Sequence, residues 1–391
     1  MIKAITSILF AAAMVLCPPV CADQAEEEEL ARQEAFRAGM QDIVESLNGG
    51  STDRFIAAID QQDFVERIFG LRLIDQRVKK SFRESMENQF DGMVASTFAD
   101  SKDNMKATLL GVESRGNRGR AVVRFDLPDF QFSYHEYELL LDDGNNLVVV
   151  DWTDFLRGER FTDGVGMSLI MASPSKPAIR KLLDYQNVKE ADLFQFTELM
   201  KAARDRQAKR YIEIINGLDE RLARQRVVVL TSVQLMKQVR SRRMLRTALT
   251  YMAKYHPQDP LFSLMLLDFY FPTRQYEEAF QALQRLHDRL DVDDAAMEAR
   301  LSAASLVMGK GEDADTHAEQ AINLEPGLEL GWWSALRARA ALADYPRSIE
   351  ALSELANRFG HKLDREALGS DPGLKGLLAS DEFDSWLAAS Q

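Results

Sequence analysis

The chain has 391 residues, 46% of them hydrophobic, and a formal net charge of -13. That length points to two or three domains, and the apolar share is well above that of a disordered chain. An acidic chain whose basic residues are not interleaved with aromatic ones is a poor match for nucleic acid, which we exclude as a partner.

The chain opens with Lys3, an apolar run from Ile5 to Leu16, and the small-residue site Val20-Cys21-Ala22 before Asp23. These features predict a signal peptide over residues 1–22. The apolar run is shorter than the roughly 20 residues a bilayer span needs, so no transmembrane helix is expected after cleavage. Both cysteines, Cys17 and Cys21, lie in this leader. A cysteine-free mature chain excludes thiol chemistry, disulfides and Cys-bound metals. The expected location is the periplasm, with full secretion as the alternative.

Residues 25–48 read as a helix, with Phe36, Met40, Ile43, Val44 and Leu47 on one face. Asn48-Gly49-Gly50 ends it. More helix follows to about Ala99, with Phe82, Met86, Phe90, Met93 and Val94 as its stripe. The period then changes to two. Strands are expected at 106–113, 121–126, 132–141 and 147–152, with turns at 115–119 and 142–146. Helices followed by an antiparallel meander predict an α+β domain, its helices packed on one sheet face.

The helix around Phe82, the strand pairs and the closing run Val148-Val149-Val150-Asp151-Trp152 resemble the cone-shaped fold of the nuclear-transport-factor-like superfamily. They are equally similar to the periplasmic phospholipid shuttles of the toluene-tolerance family. The resemblance spans roughly residues 50–170. It implies a small-ligand space between sheet and helices, for which Phe82, Met86, Phe90, Tyr134, His135 and Trp152 are the candidate lining. An acid–base pair of His135 and Asp151 would require both to point into that space.

Residues 158–175 read as a loop-rich stretch, and Ser173-Pro174-Ser175-Lys176-Pro177 as the domain boundary. Beyond it the chain is helical, beginning with an irregular helix pair at 189–225. Residues 176–254 carry an excess of Lys and Arg, whereas both flanks carry an excess of Asp and Glu. Arg204, Arg206, Lys209 and Arg210, then Arg240, Arg242, Arg243 and Arg246, form the candidate patch for an anionic partner. A lipid headgroup or a cell-wall polymer fits the same charge. The alternative is that these cations dock the chain's own acidic domain.

From Arg226 to Gly360 the sequence repeats every 34 or 35 residues, with Pro257, Asp291, Pro326 and Gly360 in register. Leu249, Leu283, Ala318 and Leu352 align within the second helix, as do Met252, Leu286, Ala321 and Leu355. Such a period predicts stacked helical hairpins. Tyr276-Glu277-Glu278-Ala279-Phe280 and the run from Ala318 to Pro326 resemble the tetratricopeptide repeat (TPR), with Tyr270 and Trp332 at its first-helix aromatic places. Ala279, Ala314 and Ala321 supply the small residues that helix crossings need. Leu374, Leu377, Leu378, Phe383, Trp386 and Leu387 are expected to cap the last repeat.

The chain therefore divides into a signal peptide at 1–22, an α+β domain at 23–172, a linker and helix pair at 173–225, and an all-α TPR-like solenoid at 226–391. No HExxH pair, phosphate-binding glycine loop or GxSxG elbow occurs. No catalytic residue, metal ligand or cofactor is assigned, and the expected role is non-enzymatic. The first reading is an exported scaffold whose solenoid holds a partner protein or peptide in its concave face. The alternative is a small-molecule or lipid carrier that uses the cone, with the solenoid as a docking arm.

Overall fold

The computed structural model describes residues 19–70, 72–98, 105–128, 130–183 and 187–389. Residues 1–18 of the expected leader, with Cys17, lie outside the described residues. The N-terminal part runs α1 (Pro19–Asn48), α2 (Asp53–Ala57), α3 (Gln61–Phe69) and α4 (Gln76–Ala95) into β1 (Lys106–Arg115), β2 (Arg118–Leu127), β3 (Gln131–Leu141), β4 (Leu147–Asp154) and β5 (Glu159–Arg160). The strands pair antiparallel in sequence order. The predicted stripe of α1 packs Phe36, Met40, Ile43, Val44 and Leu47 into the layer beneath the sheet. Each such side chain contributes about 1.5–3 kcal/mol when fully buried.

The stretch expected to be loop-rich contains a helix, α5 (Phe161–Ala172). Gly164 and Gly166 argue against a helix locally, but tertiary packing overrides them. Phe161 and Ile170 are buried in the sheet's inner layer. A Cβ at Gly166 would lie 2.6 Å from Arg72 Nε and 2.9 Å from the Ile68 carbonyl, so glycine is what allows α5 to approach α3.

The other sheet face is not open. Val122, Phe132 and Tyr134 form one cluster with Phe155 and with Leu264, Leu286, Leu290 and Met297 of the helical region. The sheet is thus the middle layer of three. That explains why β2 and β3 are buried almost continuously instead of alternating.

The helical part continues with α6 (Lys176–Leu182), α7 (Glu190–Arg204), α8 (Ala208–Asn216), α9 (Glu220–Ala223), α10 (Arg226–Gln238), α11 (Arg242–Tyr255), α12 (Ser263–Tyr270), α13 (Tyr276–Leu290), α14 (Ala295–Val307), α15 (Gly311–Leu324), α16 (Glu329–Ala341) and α17 (Tyr345–Asn357). Short helices α18 (Arg365–Leu368), α19 (Lys375–Leu378) and α20 (Asp381–Ala389) close the end, where Leu374, Leu377 and Phe383 are fully buried. Among the described residues α7 to α17 make five hairpins, a TPR-like solenoid. Ala279, Ala314 and Ala321 are fully buried at the crossings, and Tyr270 is buried beside them. Tyr276 and Trp332 are partly buried. The Pro326 carbonyl accepts the Trp332 indole N–H at 2.9 Å.

One backbone device repeats through all five hairpins. Arg206, Arg240, Arg274, Gly309 and Ala343 sit at the turn between paired helices, with φ of 54°, 52°, 60°, 76° and 57°. After each, an N–H reaches back five residues: Gln207 to Ala202, Ser241 to Met236, Gln275 to Tyr270, Lys310 to Ser305 and Asp344 to Arg339. This is the Schellman helix end, which favours glycine at the left-handed residue. The first pair, α7–α8, shares this turn, although α8 stops at Asn216 and is shorter than the second helices of the later hairpins. Ile215 and Leu218 fall 34 residues before Leu249 and Met252, a signal already present in the sequence.

Four of the five left-handed residues carry a side chain, and left-handed backbone costs a non-glycine residue about 1–2 kcal/mol. Arg206→Gly, Arg240→Gly, Arg274→Gly and Ala343→Gly should each raise stability by a few tenths to about 1 kcal/mol, after the extra freedom glycine gives the unfolded chain. Gly309→Ala should lower it by about 1 kcal/mol. A Cβ there meets no atom within 4 Å, so urea unfolding of this variant isolates the backbone contribution.

Candidate partner-binding surface

The repeat stacks the two basic segments of the sequence on one edge of the solenoid. Residues 204–210 span the turn of the first hairpin and the start of α8, and 240–246 span the turn of the second and the start of α11. The two hairpins are bolted in register: Tyr211 donates to the Val228 carbonyl at 3.0 Å, and Tyr251 donates to Asn216 Oδ1 at 2.9 Å. Arg204 pairs with Asp205 at 2.9 Å and Arg210 with Glu198 at 3.0 Å. Arg206, Lys209, Arg240, Arg242, Arg243 and Arg246 are exposed, and none has an ion-pair partner among the described residues. Arg242, Arg243 and Arg246 continue along α11 with Thr247, Thr250, Tyr251 and Lys254, bounding a trough of about 730 Å³. The sequence reading missed Tyr251, Lys254 and Arg274. Arg274 was legible, since it follows Arg240 by one period.

Among the described residues, none of these cations pairs with a carboxylate of the sheet domain. The sheet is held by a different set. Arg124, fully buried, pairs with Asp294 and with Asp126 at 2.7 Å and Glu325 at 2.7 Å. Tyr134 donates to Asp294 at 2.5 Å. Glu136 pairs with Arg289, and Arg120 donates to the Leu290 carbonyl at 2.5 Å. Burial opposes the Arg124 charge, but Asp294, Asp126 and Glu325 outweigh it and hold its pKa above the ordinary value. Burial, reinforced by Asp294, pushes the Tyr134 phenol well above its usual pKa, so it stays a donor.

The residues expected to line a pocket do not share one. Tyr134 faces the solenoid. Trp152 is stacked on Phe161 at 4.2 Å and Phe64 at 5.6 Å, with Phe55 edge-on at 5.1 Å. Phe90 meets Phe64 at 5.9 Å, and Met86 is buried in the same layer. Phe82 is partly buried and lines a shallow surface depression with Arg77, Val78 and Ser81. His135 contacts Phe125 at 4.6 Å and accepts or donates with the Tyr137 hydroxyl at 3.0 Å. Aromatic rings fill the space in which a ligand was expected.

His135 and Asp151 lie on opposite sheet faces. His135 pairs across strands with Asp154, whereas Asp151 pairs with Glu138, three residues along β3 and on the other face. Asp151 accepts from the Thr162 hydroxyl at 2.6 Å and the Arg160 guanidinium at 3.1 Å. It anchors the start of α5, and burial nevertheless raises its pKa against those bonds. Among the described residues no group of His, Cys, Asp and Glu is gathered for a metal ion, and no helix is long and apolar enough to cross a membrane.

No protein-family model matches the chain, and no curated protein does. Among solved structures the chain is similar to the MamA protein, at 15% identity over 45% of this chain and 97% of that one, with a TM-score of 0.30. It is also similar to PilW, a type IV pilus biogenesis factor, at 10% identity over 52% of this chain and 93% of that one, with a TM-score of 0.33. At these scores the overlap bears on neither partner nor site.

Proposed function

We propose that this protein is an exported, non-enzymatic scaffold of the cell envelope that holds a partner protein on its TPR-like solenoid. The observation that carries the proposal is the division of the solenoid's surface. Its second to fourth hairpins are occupied by the chain's own sheet, through Arg226, Gln234, Met265 and Asp294 among others. Among the described residues, the turn edge of the first two hairpins has no such cover. We place the partner on this cationic edge rather than on the concave face. The packed interior around Trp152 counts against the carrier reading.

The test is capture. Tagged mature chain, residues 23–391, is incubated with envelope extract at low salt, and retained proteins are identified by mass spectrometry. The expected result is one or a few proteins enriched over an unrelated acidic bait. Retention of none would overturn the scaffold reading.

A further inference from the structure

We infer that the turn edge of the first three hairpins is a ladder of cations that reads an extended acidic segment of a partner protein. This rests on the scaffold reading and names the chemistry of the partner. Arg206, Arg240 and Arg274 occupy the same left-handed turn position in successive hairpins. Packed helices lie about 8–10 Å apart, which sets the three turn backbones, one per hairpin, on steps of about that size. Lys209, Arg242, Arg243 and Arg246 broaden the row on the first two steps, and the trough of about 730 Å³ along α11 adjoins it.

Two features mark the row as more than a solvated surface. The chain has 61 Asp and Glu against 48 Lys and Arg, so carboxylates are in excess, yet these seven cations are exposed and lack ion pairs among the described residues. Three of them also sit where the backbone favours glycine, and the fourth hairpin uses Gly309 at that place. The sequence keeps an arginine there at a cost to the fold, as binding surfaces often do.

The same observations favour a peptide over a lipid surface. Among the described residues the exposed large apolar side chains are Leu30, Leu73, Phe130, Leu156, Phe194, Val307 and Leu324, none of them on this edge. Without apolar side chains to insert beside the cations, membrane-surface binding keeps only its electrostatic part. The remainder of this acidic chain would also be repelled by anionic lipid. An extended polyproline-type segment rises about 3.1 Å per residue with three residues per turn. Acidic side chains at every third position would therefore face one side at the ladder's spacing.

The test is fluorescence anisotropy of the full mature chain with a labelled peptide carrying Glu at every third position among Ala and Pro. A second peptide of equal composition clusters its Glu residues. Vesicles of phosphatidylglycerol and phosphatidylethanolamine form a third arm. The spaced peptide is expected to bind best, and binding should fall steeply when salt shortens the screening length. Arg206→Gly/Arg240→Gly/Arg274→Gly should weaken binding at least about tenfold while folding as well as the parent, because each change also relaxes its backbone. Equal binding by this variant, equal binding of the clustered peptide, or preference for vesicles would each overturn the ladder. If the triple variant still captures the parent's envelope partner, the ladder fails and the scaffold stands. If neither protein captures one but the spaced peptide binds, the ladder stands and the scaffold reading fails.

Discussion

Arg124→Ala is expected to cost about 3–5 kcal/mol and to release the sheet domain from the solenoid, because it leaves Asp294 buried without its cation. Asp294 is buried at the start of α14, where its side chain also accepts the Met297 backbone N–H at 3.0 Å. Losing that carboxylate's partner strands a charge, whereas losing a surface pair leaves water to replace it. Arg124→Lys should recover little, since one ammonium cannot serve Asp126, Asp294 and Glu325 in the forked geometry that arginine provides. Arg124→Met/Asp294→Leu should recover much of the loss by substituting apolar contact for the pair, though the α14 cap is still lost. Urea unfolding followed by tryptophan fluorescence and by circular dichroism gives the readout. The parent should unfold in one transition, and Arg124→Ala in two. A single transition with a loss below about 1 kcal/mol would show that the apolar contacts hold the two parts without this pair.

Trp152→Ala is the second large effect, at about 3–5 kcal/mol. Trp152 is fully buried between Phe64 and Phe161. Removing the indole opens a cavity among rings that cannot all move in. Trp152→Phe should cost far less, near 1 kcal/mol, because the buried indole N–H has no hydrogen-bond partner among the described residues and its loss removes an unmet donor. The alanine variant should also take up a small aromatic probe that the parent refuses, measurable by thermal shift. Uptake of the same probe by the parent would mean that the inner layer is not closed, and would revive the carrier reading.

The repeat was readable because its residues report on local stacking. Leu283 and Leu286 are fully buried where the period placed them, and so are Ala318 and Ala321. The first hairpin was harder to read because Tyr211 stands where Ala279 and Ala314 stand in later units, so the small-residue mark is absent. Helix α5 was misread because Gly164 and Gly166 carry helix-breaking weight that only the approach of Ile68 and Arg72 explains. In β2 the apolar run Ala121-Val122-Val123 carried a trace of burial on both faces. Alternation by itself could not say what lay on the second one.

By itself, the sequence determined most of the elements, the order of sheet and solenoid, and the cationic content of the first two hairpins. Those properties depend on neighbours three, four or about 34 residues away, and a linear pattern records them. Only the tertiary structure decided which surfaces are spent and which are free. Arg124 and Asp294 are 170 residues apart, and nothing local marks either as buried. Arg206, Arg240 and Arg274 become a row only when the hairpins stack. Burial and electrostatic pairing are properties of distance in space, so the surface left for a partner emerges only after the chain has used the rest on itself.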